Sequence, residues 1–215
     1  MTPPGPGDKA SRRHRLLIGS ANPGKLREYR EILQGLDLEL VAPTDLAPAP
    51  TEPPETAATF AENAAAKARA YAQASGLLTV ADDSGLEVLS LGGRPGVRTK
   101  RWSGRSDLSG RALDAANNAK MLSELAGVAD RRARYVCVAA YIDADGERVF
   151  RGESAGRMLD APRGAGGFGY DPLFLSDDLG LTFAEATREQ KERVSHRGRA
   201  FAQLAEWMSQ RGTPR

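Results

Sequence analysis

The apolar run Leu16–Gly19 passes almost at once into Asn22-Pro23, and this junction constrains the fold more than any other feature of the chain. The run fits a short buried strand. Asn22 is a strong helix N-cap, and Pro23 stands at the first helical position, the one place where a helix tolerates it best. Leu26, Tyr29, Leu33 and Leu36 then recur at helical spacing, with Gly35 suited to the helix end. A buried strand that delivers the chain into a helix N-terminus is the opening unit of an α/β protein. The pattern repeats in reverse after a loop at 43–54 that contains five prolines. Thr59-Phe60-Ala61-Glu62 is a capping box, opening an alanine-rich helix to Ser75 that closes at Gly76. Leu77–Ala81 reads as a second apolar strand, terminated by Asp82-Asp83-Ser84-Gly85.

Further along, a helix is predicted from about Gly110 to Leu125. Arg134–Ile142, the turn Asp143-Ala144-Asp145-Gly146 and Arg148–Glu153 read as a β-hairpin. The run Arg163–Pro172 is too rich in glycine to be anything but loop. Thr182 and Glu185 repeat the capping-box spacing, and Ser195 caps a last helix with Phe201, Leu204, Ala205 and Met208 on one face. Helices that alternate with strands early, and a hairpin late, predict a mixed sheet flanked by helices.

A chain of 215 residues is expected to form one large domain, here over 15–211, behind a disordered basic tail at 1–14. Ser11-Arg12-Arg13 has the look of a twin-arginine export signal, but only Leu16, Leu17 and Ile18 follow before polar residues return. No stretch nears the ~18 apolar residues that span a bilayer. With 30 Lys+Arg against 28 Asp+Glu, the net charge of +2 makes no case for DNA or RNA as partner. The single cysteine, Cys137, excludes an intrachain disulfide and lies in an apolar run, where it reads as a small buried hydrophobe. The expectation is a cytoplasmic protein with neither nucleic acid nor membrane as partner.

Chemistry concentrates at the element ends. Gly19-Ser20-Ala21-Asn22-Pro23-Gly24-Lys25 satisfies the opening of the phosphate loop G-x-x-x-x-G-K, in which helix amides and a lysine attract phosphate. Leu26 stands where that loop needs Ser or Thr for Mg²⁺, and Pro23 removes an amide, so phosphate binding is expected without a true P-loop. Asp82 and Asp83 at a buried strand are costly unless they meet a cation, and a hard ion such as Mg²⁺ joins carboxylates to phosphates; the alternative is a turn and a cap. Glu52, Glu55 and Lys67 read as solvated by spacing alone. So do the five basic residues between Arg94 and Arg105, which could equally meet phosphate. His196 and Arg197 put positive charge in a helix's first turn, against the dipole, which suggests donors presented to a ligand. Phe168 and Tyr170 can stack on a base or simply pack their loop.

Taken in order, SANPGK at 20–25, TFAENAAAKA at 59–68, ADDSGL at 81–86, LGGRPGV at 91–97, GGFGYDP at 166–172 and SHRGRA at 195–200 resemble the inosine triphosphate pyrophosphatase family. The blocks are collinear over essentially the whole chain beyond residue 15. The resemblance implies an α/β fold, three-layer α/β/α with an elongated mixed sheet and two lobes around a substrate cleft. It also implies a Mg²⁺-dependent homodimer that hydrolyses ITP, dITP and XTP to the monophosphate and pyrophosphate. By position, Ser20, Asn22, Lys25 and Lys67 match triphosphate-binding residues. Asp83 matches the catalytic carboxylate, which also binds metal, and Ser84 lies next to substrate. Phe168, Gly169, Tyr170 and Asp171 match the base-binding loop, and Lys191, His196 and Arg197 the remaining base contacts. Bacterial members usually carry Glu-Thr-Gly before the capped helix. Here the stretch reads Pro54-Glu55-Thr56-Ala57, so Glu55 is the counterpart of the metal-binding glutamate, with Glu52 as the alternative. The rival expectations are a P-loop-like NTPase or kinase and a catalytically silent nucleotide-binding module.

Overall fold

The computed structural model describes residues 14–211. In chain order its elements are β1 (His14–Ile18), α1 (Pro23–Ile32), β2 (Leu38–Val41), α2 (Phe60–Ser75), β3 (Leu78–Val88), α3 (Gly110–Glu124), β4 (Arg132–Asp143), β5 (Gly146–Met158), β6 (Phe174–Ser176), α4 (Arg188–Val194) and α5 (His196–Arg211). The strands form one sheet in the order β2-β1-β3-β4-β5-β6. β1 is parallel to β2 and β3, and the remaining pairs are antiparallel, so the sheet is mixed. The predicted tail at 1–14 lies outside the described residues except for His14, which opens β1.

Capping decides where the helices begin. Asn22 Oδ1 accepts from the amides of Gly24 and Lys25 at 2.8 and 3.3 Å, with Pro23 in the first turn. Thr59 Oγ1 accepts from Glu62 N at 3.2 Å, and α2 closes at Gly76 in the left-handed region. Ser195 Oγ accepts from Gly198 N at 3.0 Å at the start of α5. α1 stops at Ile32, short of Gly35, because Leu33 already turns out of the helix to pack in the core.

β3 differs most from expectation. It does not end at Asp82-Asp83 but continues to Val88, paired to β4 without a break from Thr79↔Ile142 to Val88↔Ala133. Both carboxylates are accommodated because strand alternation sends them to opposite faces of the sheet, where each meets a partner. The hairpin is likewise longer at both ends than its hydrophobic run suggests. Thr182 and Glu185 do exchange reciprocal bonds, Glu185 Oε2 accepting from Thr182 N at 2.8 Å, but they close a turn rather than a helix.

Helices cover both faces of the sheet. On one, Tyr29 of α1, Leu33 just beyond its end, and Phe201 and Leu204 of α5 pack on Leu16, Ile18, Val80, Cys137 and Tyr141, with Tyr29 stacked on Phe201 at 3.9 Å. On the other, Phe60, Ala64 and Ala68 of α2 pack on Ala81, Val136 and Val138. A further cluster joins Leu86, Val88 and Tyr135 to Met121 of α3, to Leu125 at its C-cap, and to Phe174 and Phe183. Among the described residues no helix is long and apolar enough to cross a membrane.

The start of α5 lies directly on β5 at Gly152. A Cβ there would stand 2.1 Å from the His196 carbonyl oxygen and 2.5 Å from Ala200 N. Backbone cannot yield as a side-chain end can. Gly152→Ala is therefore expected to destabilise the protein by about 3 kcal/mol, at the top of the overpacking range, and to displace His196 and Arg197. Chemical denaturation checks this, and an unchanged midpoint would contradict it.

Candidate active site

The site forms where the middle of β3, the N-termini of α1 and α5, and the 163–172 loop converge. Asp82 points to the α1/α5 face and Asp83 to the α2 face. Asp82 is 1% exposed, and its Oδ2 accepts from Lys25 Nζ at 2.7 Å. Burial alone would raise the Asp82 pKa. Lys25, Lys67 and Arg197 overcome it and hold the carboxyl well below the usual range.

Asp83 behaves in the opposite way. Burial and the neighbouring Glu55 carboxylate push it up to about 6, against the Asn63 hydrogen bond and the lysines. Asn63 Nδ2 donates to Asp83 Oδ2 at 2.9 Å, while Asn63 Oδ1 accepts from Ala57 N at 2.9 Å. This one side chain thus braces the Glu55 loop against β3. Arg101 Nη2 adds a contact to the Glu55 carbonyl at 3.3 Å.

Lys67 is buried rather than solvent-facing. Its ammonium is paired with Glu55 and donates to the Asp82 carbonyl at 3.0 Å. Burial opposes its charge, but Asp82, Glu55 and Asp83 together raise its pKa. Of the two glutamates, Glu55 is the one brought to Lys67 and Asp83; Glu52 is exposed.

Ser20 is buried, and its Oγ accepts from Asn22 N at 3.2 Å. The Gly24 and Lys25 amides, expected to be open to phosphate, are occupied by the Asn22 side chain. Attraction for an anion at this end of α1 therefore rests on the lysine ammoniums more than on bare amides.

Ser84 links this cluster to a second one. Its Oγ accepts from Arg197 Nη2 at 3.4 Å. Arg197 is buried, and its Nη1 donates to Glu28 Oε2 at 3.0 Å. Lys191 Nζ lies 3.6 Å from Glu28 Oε1 and donates to Asp171 Oδ2 at 2.7 Å. Burial raises Glu28, but Arg197 and Lys191 prevail and lower its pKa. The Phe168 ring is the wall of this cluster, with Lys191 Nζ 5.0 Å and Arg197 Cζ 5.1 Å from its centroid.

His196 is buried with its ring stacked on Tyr135 at 4.6 Å and 8°, and neither ring nitrogen has a partner. Burial, Arg197 and Lys191 all lower its pKa well below the usual value, so the imidazole is neutral, with one donor to offer.

Tyr170 and Asp171 are both buried within the loop and bonded there. Tyr170 is 3% exposed, packs with Leu86 and Met121, and donates its hydroxyl to the Thr99 carbonyl at 2.9 Å. Asp171 is an internal tie, its Oδ2 also accepting from Phe168 N at 2.9 Å. The ring of Phe168 is left at the surface of the site.

Glu28 and Asn63 escape sequence reasoning as site residues. Glu28 stands three residues beyond Lys25 on α1, a spacing that shares a helix face. Nothing local, however, identifies cation partners as remote in the chain as Lys191 and Arg197.

This arrangement offers anion-binding lysines, an oxygen-only pair of carboxylates and a cation–aromatic pocket. The sequence matches the model of the Ham1 family over residues 16–207. A protein of Frankia alni named dITP/XTP pyrophosphatase is 51% identical over 196 residues, 89% of this chain and 95% of that one. A relative of the same name from Geobacter sulfurreducens is 47% identical, covering 92% of this chain and 98% of its own length. Among solved structures, a HAM1 protein from Coxiella burnetii superposes with a TM-score of 0.83 at 34% identity, over 92% of this chain and 99% of that one. A nucleoside-triphosphatase / dITP/XTP pyrophosphatase from Mycobacterium abscessus gives 0.71 at 44% identity, over 88% and 98%.

Proposed function

The chain belongs to the Ham1 family, and on that premise we propose that it hydrolyses non-canonical purine nucleoside triphosphates, dITP, ITP and XTP, to the monophosphate and pyrophosphate. The observation that carries this reading is the position of Ser84. It follows Asp83 of the carboxylate–lysine cluster, and its own hydroxyl meets Arg197 of the cation–aromatic pocket. A molecule with a polyphosphate at one end and a flat polar ring at the other suits that pairing.

Asp83 and Glu55 fit a hard divalent cation, which we take to be Mg²⁺. They offer oxygen alone, and among the described residues no group of three or more His, Cys, Asp or Glu could hold an ion by itself. Such a donor set suits an ion that takes one or two carboxylates and completes its shell with water and phosphate. When bound, the ion neutralises charge on the triphosphate.

Asp83, ionised at neutral pH, accepts the proton of the water that attacks the α-phosphorus. Lys25 and Lys67 stabilise the negative charge that grows on the departing pyrophosphate. The Phe168 ring supports the base, and Arg197, with His196, donates to the 6-oxo group of hypoxanthine or xanthine. Adenine presents an amino donor there and would leave those buried donors unpaired. A single catalytic domain over 15–211, acting as a homodimer in the cytoplasm without nucleic acid or membrane as partner, belongs to the same reading.

The test is product identification with ITP, XTP, GTP and ATP in the presence of Mg²⁺. Pyrophosphate and monophosphate are expected from ITP and XTP, with ATP slower by orders of magnitude. Orthophosphate and diphosphate would instead identify a γ-phosphate NTPase.

A further inference from the structure

The 163–172 loop carries Gly164, Gly166, Gly167 and Gly169, three of them at positive φ. A segment of that composition loses more freedom on ordering than most, so something must hold it if it is to be ready for a base. Part of the answer lies inside the loop, in the bonds of Asp171 to Phe168 N and of Arg163 N to the Pro172 carbonyl at 2.8 Å. The rest comes from α3, none of whose polar side chains takes part in the site described above. Asp114 Oδ2 accepts from Gly169 N at 2.9 Å, and Asn118 Nδ2 donates to the Gly169 carbonyl at 3.0 Å. The two stand one helical turn apart on one face of α3, so they grip both polar groups of a single residue.

The grip fixes more than a glycine. Gly169 is at φ +62°, and its neighbour Phe168 is the ring beside Lys191 and Arg197. Phe168 also closes on α1, where a Cβ at Gly24 would stand 3.4 Å from its ring. The peptide orientation at Gly169 therefore sets where the aromatic wall stands. Asn118 Oδ1 is buried without a partner. A side chain chosen for stability alone would avoid that cost, so the Nδ2 bond is the feature worth keeping.

Resting on the reading of this loop as the base support, we propose that Asp114 and Asn118 are positioning residues for nucleobase recognition, holding Phe168 in its binding position before substrate arrives. Without them, loop ordering must be driven by the binding energy of the base, so affinity falls while the phosphate chemistry is untouched.

The experiment compares wild type with Asn118→Leu, Asp114→Ala and the conservative Asp114→Asn, which retains an acceptor. KM and kcat for ITP are measured, together with the inhibition constant of inorganic triphosphate, a probe with no base. Asn118→Leu and Asp114→Ala are expected to raise KM about tenfold, the equivalent of one net hydrogen bond, with kcat and the inorganic triphosphate constant within about twofold. Asp114→Asn is expected to stay near wild type. An unchanged KM, or an equal weakening of ITP and inorganic triphosphate, would overturn the proposal, the latter pointing to general damage. Should Asp114→Ala fail to fold, the near-isosteric Asn118→Leu decides. If wild type does not hydrolyse ITP, the functional reading fails separately. Calorimetric binding of IMP to the same variants then decides the clamp, a loss in Asn118→Leu supporting it and equal affinity overturning it.

Discussion

Asp83→Asn is expected to cut turnover by orders of magnitude and, in the metal-free protein, to raise stability. The two effects share one cause. Asp83 is 4% exposed beside Glu55, and its pKa of about 6 means that the folded state resists its ionisation. The sign follows from linkage. Between the unfolded value near 4 and the folded value near 6, the native state binds the proton more tightly, so stability falls as pH rises through that window. Above it the full penalty persists, about 2–3 kcal/mol for a shift of about two units. A carboxamide carries no such penalty; its oxygen can still accept from Asn63, while its amide group replaces the oxygen that accepts from Ser84 N and offsets part of the gain. Turnover should fall about 10³-fold, as for loss of a general base. Melting in EDTA at pH 5 and pH 8 checks the first effect. The variant should gain most at pH 8, and a destabilised variant at pH 8 would contradict the role of burial and Glu55 in raising the Asp83 pKa.

Lys25→Met is expected to lose both activity and about 3 kcal/mol of stability, the cost of leaving a buried charge without its closest partner. Asp82 Oδ1 has no hydrogen-bond partner, and Oδ2 accepts from Lys25 at 2.7 Å and, weakly, from Cys137 Sγ at 3.9 Å, so Lys25 is its one close cationic donor. Its depressed pKa contributes stability that is present above the unfolded value near 4 and lost as pH falls toward the folded one. The penalty of Lys25→Met should therefore be greatest at neutral pH and shrink on acidification. Adding Asp82→Asn should restore much of the stability, because the uncompensated charge is gone, yet restore none of the activity. Turnover without Lys25 should be about 10²-fold lower, as for removal of one preorganised charge-stabilising donor. A double variant no more stable than Lys25→Met would show that the pair is not what holds this region.

How much of the molecule is legible in its sequence depends on the range of each interaction. Asn22, Thr59 and Ser195 are readable as caps because a cap is settled within three or four residues. So is the face of α5 formed by Phe201, Leu204 and Met208. The course of β3 is not. Local rules treat two adjacent aspartates as the end of an apolar strand, whereas the groups that make them tolerable come from far along the chain. Lys25 stands 57 residues from Asp82, and Asn63 stands 20 residues from Asp83. Spacing makes Lys67 solvent-facing for the same reason, since its burial exists only once Glu55 and β3 surround it. β2 and β6 are too short to impose a period, and α4 spans only Arg188–Val194, although Thr187 and Gln190 form a capping box at its start. Tyr170 illustrates a different limit. Composition marks an aromatic in a glycine loop as available, and only packing on Leu86 and Met121 shows which of two aromatics turns inward. Residues of the collinear blocks meet in the structure, Lys25 with Asp82, Asn63 with Asp83, and Arg197 with Ser84 and Phe168, a convergence that spacing alone does not give.

The most direct test of the proposed chemistry is a turnover of ITP in water enriched in ¹⁸O, with Mg²⁺ present and products separated for mass spectrometry. Attack at the α-phosphorus by water that gives its proton to Asp83 puts one labelled oxygen in IMP and none in pyrophosphate. Label in pyrophosphate, or in orthophosphate alongside IDP, would place the attack elsewhere on the triphosphate and contradict the proposed roles of Asp83, Lys25 and Lys67.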